Sequence, residues 1–207
     1  MARDIPTATK PLLRLDLGAN IDVGDEGLLQ FAILGSAWRK AQGIDKPRLG
    51  VLNIGKEASK GTEEIRLAGQ LISELKGIDY VGFVEADELY LGELDVVVCD
   101  GFHGNIALKT SEGLLRYVSQ QFDLMLKSNL PGRVLSFFTN PVIERFKRQL
   151  DPVMHSGALL LGIDGLVIKS HGKSDQRAFY QSLNYALAQV EAKSSQRISS
   201  ILDELAQ

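Results

Sequence analysis

The sequence has one cysteine, three histidines, six prolines and one tryptophan in 207 residues. A lone thiol, Cys99, excludes an intramolecular disulfide and fits a reducing compartment. The histidines, His103, His155 and His171, are dispersed, with neither H-E-x-x-H nor C-x-x-C, so no metal signature is present. No apolar run approaches the ~20 residues of a membrane span. The opening MARDIPTATK lacks the apolar core of a signal peptide. A cytoplasmic, soluble chain is the expectation, with peripheral membrane contact left open. Positive charge is not in excess: 23 Lys and Arg face 26 Asp and Glu, a formal net charge of −3. That argues against nucleic acid as a partner. No G-x-G-x-x-G follows a strand, and neither a Walker loop nor a G-x-S-x-G elbow occurs, so dinucleotide and nucleophile-elbow chemistry have no fingerprint.

What is present is a globular composition, 44% hydrophobic and 24% charged, enough for a sizeable core. The length suits a single domain. Short apolar runs alternate with longer amphipathic stretches. Strands are expected at 12–17, 48–54, 79–85 and 94–99, the last rich in β-branched residues and apolar enough to be central. Helices are expected at 25–42, about 62–76 and 105–127. The cycle predicts a three-layer α/β/α fold with a mostly parallel sheet, whose ligands bind beyond the carboxyl ends of the strands. Residues 128–151 carry two prolines, four phenylalanine or isoleucine side chains and a basic stripe. They read as a helical excursion within the domain. Runs 158–163 and 166–170 read as a strand pair, and a final helix is expected from about 174 to 205.

Four polar loops follow strands. The first holds Asp16, Gly18 and Asn20, which read either as a tight turn with Asn20 as cap or left-handed residue, or as a ligand-facing loop. The second runs from Asn53 through Gly55, Lys56 and Lys60 to Gly61. A lysine at a helix start works against the helix dipole, and an anionic ligand would explain it. The third is Cys99, Asp100, Gly101, Phe102, His103, Gly104, Asn105, followed by Lys109, Glu112 and Gly113. Asn105 either caps the helix or offers its amide to a developing oxyanion. Cys99, ending an apolar strand, reads as inert packing rather than a nucleophile. The fourth is Lys169, Ser170, His171, Gly172, Lys173, Ser174, either a cap and packing or a second anion contact.

The order LDLGANIDV, QFAILGSAW, PRLGVLNIGKEASKG, DVVVCDGFHGNIALKTSEG and GALLLGIDGLVIKSHGKSD resembles the phosphate acyltransferase family of the PlsX type across essentially the whole chain. The resemblance implies a fold akin to phosphotransacetylase and isopropylmalate dehydrogenase, built as a homodimer. It implies no cofactor. The implied reaction is acyl-ACP plus inorganic phosphate to acyl phosphate and free acyl carrier protein, with the product passed to an acyltransferase partner at the membrane. Phosphate is then the nucleophile, and the protein must hold an anion against a thioester and stabilise an oxyanion. For that reaction, the residues themselves offer Lys60 and Asn105 as the candidate catalytic groups. Asp16, Gly18, Asn20, Asn53, Gly55, Gly61, Asp100, Gly101, Gly104, Lys169, His171 and Ser174 are the candidate substrate-binding set, in which Asp16, Asn20, Asn53 and Asp100 would position the catalytic groups. The basic excursion would meet acidic carrier protein, a second subunit or anionic lipid.

The chain departs from the family pattern in places. Lys56 stands where an acidic residue is common. Ser156, Gly157, Ala158 and Leu159 replace a Gly-Gly and proline segment, and His171, Gly172, Lys173 and Ser174 replace H-G-S-S. Family members begin with a further glycine- and aspartate-rich strand–loop, so the chain reads as a carboxy-terminal portion. Loss of those strands is expected to leave a central strand at the sheet edge. A short-chain phosphotransacetylase and a non-catalytic binding fragment are the alternative readings.

Overall fold

The computed structural model describes residues 1–127, 145, 157–172 and 174–205. Apart from Arg145, the expected excursion at 128–151 lies outside the described residues.

Among the described residues, seven strands form one sheet in the order β4-β3-β5-β2-β1-β6-β7. They are β1 (Ala2–Ile5), β2 (Leu12–Leu15), β3 (Arg48–Leu52), β4 (Asp79–Val84), β5 (Val96–Val98), β6 (Ala158–Leu159) and β7 (Ile168–Lys169). The ladders β4–β3, β3–β5 and β5–β2 are parallel, as the strand–helix cycle predicts. β1 runs against both β2 and β6, and β7 runs against β6. Hence β6 shares the direction of the parallel group, and only β1 and β7 are reversed.

β1 is absent from the sequence reading, and it corrects the expected open edge. β2 lies between β5 and β1, with Ala2, Arg3, Asp4 and Ile5 opposite Leu15, Arg14, Leu13 and Leu12. Among the described residues, the edges of the sheet are β4 and β7.

β5 and the middle of β3 are apolar without alternation, as strands covered on both faces are. One face carries α1 (Asp25–Ala41), α2 (Glu63–Ser73) and α5 (Ser194–Leu205). Its core joins Leu13, Leu15, Leu49, Val51, Val96 and Val98 to Leu28, Ala32, Trp38, Ala68, Ile72 and Ile198. α1 has Asp25 and Glu26 in its first turn and Arg39 and Lys40 in its last, the order that suits the helix dipole. α2 is capped by the Thr62 side chain, which accepts from the Ile65 amide.

The opposite face carries Leu12, Val97 and Leu94 beneath Leu89 of a short 3-10 helix, Ala86–Tyr90. There α3 (Gly101–Lys127) begins, with Gly104 against the Cys99 thiol. The expected final helix is two helices, α4 (Gln176–Glu191) and α5. The break falls at Lys193, whose φ of 52° is left-handed.

Among the described residues, no helix is long and apolar enough to cross a membrane.

Candidate functional site

The site forms where β2 and β5 end side by side. Their ladder continues past the strands: the Asp16 amide donates to the Cys99 carbonyl at 2.9 Å, and the Cys99 amide to the Leu15 carbonyl at 2.6 Å. The chain then turns on Asp16, which is fully buried. Its carboxylate accepts from the Leu17 amide, the Ala19 amide at 3.2 Å, the Asn20 amide at 2.7 Å and Asn20 Nδ2 at 3.0 Å. The Met1 amino group lies 3.0 Å from the same carboxylate. Burial pushes the Asp16 pKa up, but the ammonium and the amides outweigh it, so the carboxyl lies below its ordinary value. Asn20 is thus neither a cap nor a left-handed residue. Its side chain closes the Asp16 turn, and its carbonyl accepts from the Gly101 amide at 2.7 Å.

α3 starts four residues earlier than the sequence suggests. Its first turn is capped by Asp100, whose Oδ1 accepts from the His103 amide at 2.8 Å. The second Asp100 oxygen lies 2.6 Å from His103 Nδ1. Asn105 is therefore inside the helix and is not its cap. A Cβ on Gly104 would overlap the Asp16 carbonyl oxygen and lie 2.9 Å from Cys99 Sγ, so glycine permits this approach. The approach sets the Asn105 side chain against Gly18, where a Cβ would stand 3.4 Å from Asn105 Cβ.

A cavity of about 640 Å³ opens beside this contact. Gly18, Asn105, Lys169, His171 and Ser174 all line it, so the first, third and fourth loops converge. Sequence reasoning missed Arg3 and Arg116 as lining residues and passed over Lys109 and Glu112. The signal was present: Asn105, Lys109, Glu112 and Arg116 recur at helical spacing and form one polar face. Four cationic side chains, Arg3, Lys109, Arg116 and Lys169, face two carboxylates, Glu112 and Asp175. Lys109 Nζ donates to Glu112 Oε2 at 2.8 Å and lies 3.2 Å from His171 Nε2, tying α3 to the fourth loop. An ammonium can only donate, so His171 Nε2 accepts in this contact. Ser174 is not the cap of α4. Its hydroxyl is 2.7 Å from that of Ser170, while Asp175 caps α4 by accepting from the Ala178 amide.

The second loop stands apart from this cavity. It follows β3 along the same carboxyl edge of the sheet, and Lys60, Asn53, Gly55 and Gly61 do not line the cavity. Asn53 is buried and staples its own loop: Nδ2 donates to the Lys60 carbonyl at 3.1 Å, and Oδ1 accepts from the Ile54 amide at 2.8 Å. Gly61, at φ 86°, closes that loop over Asn53. Lys56 pairs with Glu88 at 2.6 Å, while the Lys60 side chain is exposed.

Cys99 is buried, and burial pushes its thiol up to about 12. A nucleophilic thiol needs the thiolate. Native protein at pH 7.5 is therefore expected to resist iodoacetamide, and urea-unfolded protein to be alkylated within minutes, as read by intact mass. Rapid alkylation of the folded chain would contradict the inert assignment.

Among the described residues, no group of three or more His, Cys, Asp or Glu could hold a metal ion.

A family profile described as "Fatty acid synthesis protein" matches residues 1–197. A phosphate acyltransferase of Pseudomonas putida (strain F1) is 43% identical over 205 residues, covering 99% of this chain and 61% of the relative. A phosphate acyltransferase of Cellvibrio japonicus is 43% identical over 198 residues, covering 96% of this chain and 60% of that one. The chain thus spans about three fifths of the curated relatives it matches. Among solved structures, the EutD phosphotransacetylase from Staphylococcus aureus aligns with a TM-score of 0.45 at 17% identity, covering 55% of this chain and 41% of its own. On the profile match and these identities, the chain belongs to the fatty acid synthesis protein family, which it shares with the phosphate acyltransferases.

Proposed function

We propose that the chain serves acyl transfer from acyl-ACP to inorganic phosphate, giving acyl phosphate and free acyl carrier protein for phospholipid synthesis. The observation that carries this reading is the cation-rich cavity with Asn105 on its wall. A phosphate oxygen attacks the thioester carbonyl carbon, and the carbonyl becomes an oxyanion. The C–S bond then breaks, and the carrier leaves as its thiolate, which takes a proton. Excess positive charge holds the phosphate, and the Asn105 amide donates to the oxygen that gains charge. Lys60, exposed on the neighbouring loop of the same sheet edge and outside the cavity lining, is the further ammonium that this reading assigns to the incoming anion. Lys169, His171 and Ser174 contact substrate from the far wall. Asp16, Asn20, Gly101 and Gly104 hold Asn105 in place, and Asp100 fixes the start of its helix.

The same reading includes a homodimer, peripheral contact with anionic membrane and hand-over to an acyltransferase, at the cytoplasmic face. Exposed Phe102, Leu114, Tyr117 and Phe122 on α3 support an apolar contact there.

The test is release of free carrier protein from palmitoyl-ACP by the purified chain, with and without phosphate. Release is expected to require phosphate. It is expected to fall at least about tenfold in Asn105→Ala, as when an oxyanion donor is removed, and also to fall in Lys60→Ala. Release that ignores phosphate, or no release from folded protein, would overturn the proposal for this chain.

A further inference from the structure

Two buried arginines treat their charge differently. Arg39, at the end of α1, is 3% exposed and fully engaged. Nε donates to the Asp95 carbonyl at 3.0 Å, Nη1 to Gln42 Oε1 at 2.7 Å, and Nη2 to Asp4 Oδ1 at 2.7 Å and the Pro11 carbonyl at 2.9 Å. Arg14, in the middle of β2, is 0% exposed. None of its three guanidinium nitrogens has a hydrogen-bond partner among the described residues.

An unpaired buried charge costs several kcal/mol. Arginine does not escape by losing its proton at physiological pH. Burial lowers the Arg14 pKa, and burial together with the Arg14 charge lowers the Arg3 pKa. Arg3 and Arg14 are directly opposite in the antiparallel β1–β2 ladder. Their side chains leave the sheet on one face, with Cβ atoms about 5 Å apart. Like charges so placed repel.

Their shared face is the cavity side. Arg3 lines the cavity, and Arg14 is buried beside it. Glu112 raises the pKa of both arginines. Its carboxylate is also bound to Lys109, so one negative charge serves three cations. Among the described residues, four cations line the cavity, Arg3, Lys109, Arg116 and Lys169, against two carboxylates, Glu112 and Asp175, so positive charge is in excess there.

We infer that the Arg3–Arg14 pair is an oxyanion subsite of the phosphate class, in which Arg3 makes the contact and Arg14 acts through it as a buried positioning charge. The inference rests on the proposed function only for its choice of phosphate as the anion. A multiply charged oxyanion in the cavity accepts from Arg3 and offsets the repulsion from Arg14 at once. No other described feature does both.

The test measures thermal stability and phosphate affinity at matched ionic strength, with phosphate against chloride, for the wild-type chain, Arg14→Met and Arg14→Lys. Arg14→Met keeps volume and removes charge, so its melting temperature in chloride is expected to match or exceed the wild type. Phosphate is expected to raise the wild-type melting temperature. Its dissociation constant is expected to rise at least about tenfold in Arg14→Met, equivalent to roughly 1.4 kcal/mol, and to be largely restored in Arg14→Lys. A wild-type chain indifferent to phosphate overturns the subsite, as does Arg14→Met with unchanged affinity. Transfer and subsite fail separately. Acyl release with the same phosphate KM in wild type and Arg14→Met leaves the transferase reading and removes the subsite. Phosphate binding lost in Arg14→Met, with no acyl release from any form, does the reverse.

Discussion

Gly104→Val is expected to destabilise the chain by about 3 kcal/mol or more, the upper range for overpacking, whereas Gly113→Val in the same helix is expected to be nearly neutral. A Cβ at Gly104 would overlap the Asp16 carbonyl oxygen and crowd the Cys99 sulfur at 2.9 Å. A backbone carbonyl cannot rotate aside as a lysine tip can. α3 must then lift from the Asp16 turn, and it carries Asn105 with it. At Gly113 a Cβ would meet nothing within 4 Å. Helix propensity differs little between glycine and valine, by a few tenths of a kcal/mol in favour of valine. Propensity thus cannot explain a large difference between the two sites, and sterics can. For a chain of this size, 3 kcal/mol corresponds to roughly 6–12 °C in melting temperature. Calorimetry of both variants is the check, and equal melting temperatures would mean that α3 does not pack as described. Loss of acyl release in Gly104→Val alone would further tie catalysis to the seating of α3.

The parallel half of the sheet was legible because its signal is local. LGVL and DVVVC are apolar on both faces, and only a strand covered on both sides reads that way. β1 was not legible. Arg3 and Asp4 fill its centre, and its strand character comes from pairing with β2 on one side and β6 on the other. Asp4 is accounted for only by Arg39, 35 residues away, at 2.7 Å. The break between α4 and α5 has no glycine or proline to announce it. Lys193 takes the left-handed conformation that glycine takes in most such turns.

The start of α3 was misread for an instructive reason. Gly101 and Gly104 look like loop glycines in sequence. In the structure they are helical, and they are small because the Asp16 turn lies against them. A glycine needed for close approach and one needed for a turn have the same letter. The loops themselves were located correctly, since polar residues after apolar strands mark the carboxyl edge. Which loops share a cavity was not legible. Lys60 and Asn105 follow adjacent strands, yet only Asn105 lines the cavity, together with a fourth loop that is distant in sequence. Arg14 drew no notice because a single charge inside LLRL is usually solvated. Only burial reveals that it is not.

Asp16→Ala is expected to cost about 3–5 kcal/mol at pH 7, the range for removing one partner of a buried charged network. The carboxylate is fully buried and takes four hydrogen bonds, from the Leu17, Ala19 and Asn20 amides and from Asn20 Nδ2. Alanine leaves those donors facing apolar surroundings, each with its own desolvation cost. The contribution depends on pH with a definite sign. The folded carboxyl has a lowered pKa, so the unfolded chain binds this proton more readily. Its stabilisation is complete above the unfolded value near 3.9 and is lost as pH falls through the lower folded value. Urea unfolding of wild type and Asp16→Ala at pH 7, 5, 4 and 3 is the check. The gap in stability between them is expected to be constant from pH 7 to 5 and to narrow below pH 4. A gap that widens toward acid would mean that the folded carboxyl holds its proton more tightly than the unfolded one. The Asp16 turn would then be a neutral hydrogen-bonded loop rather than the charged pivot on which β2 hands the chain to the cavity.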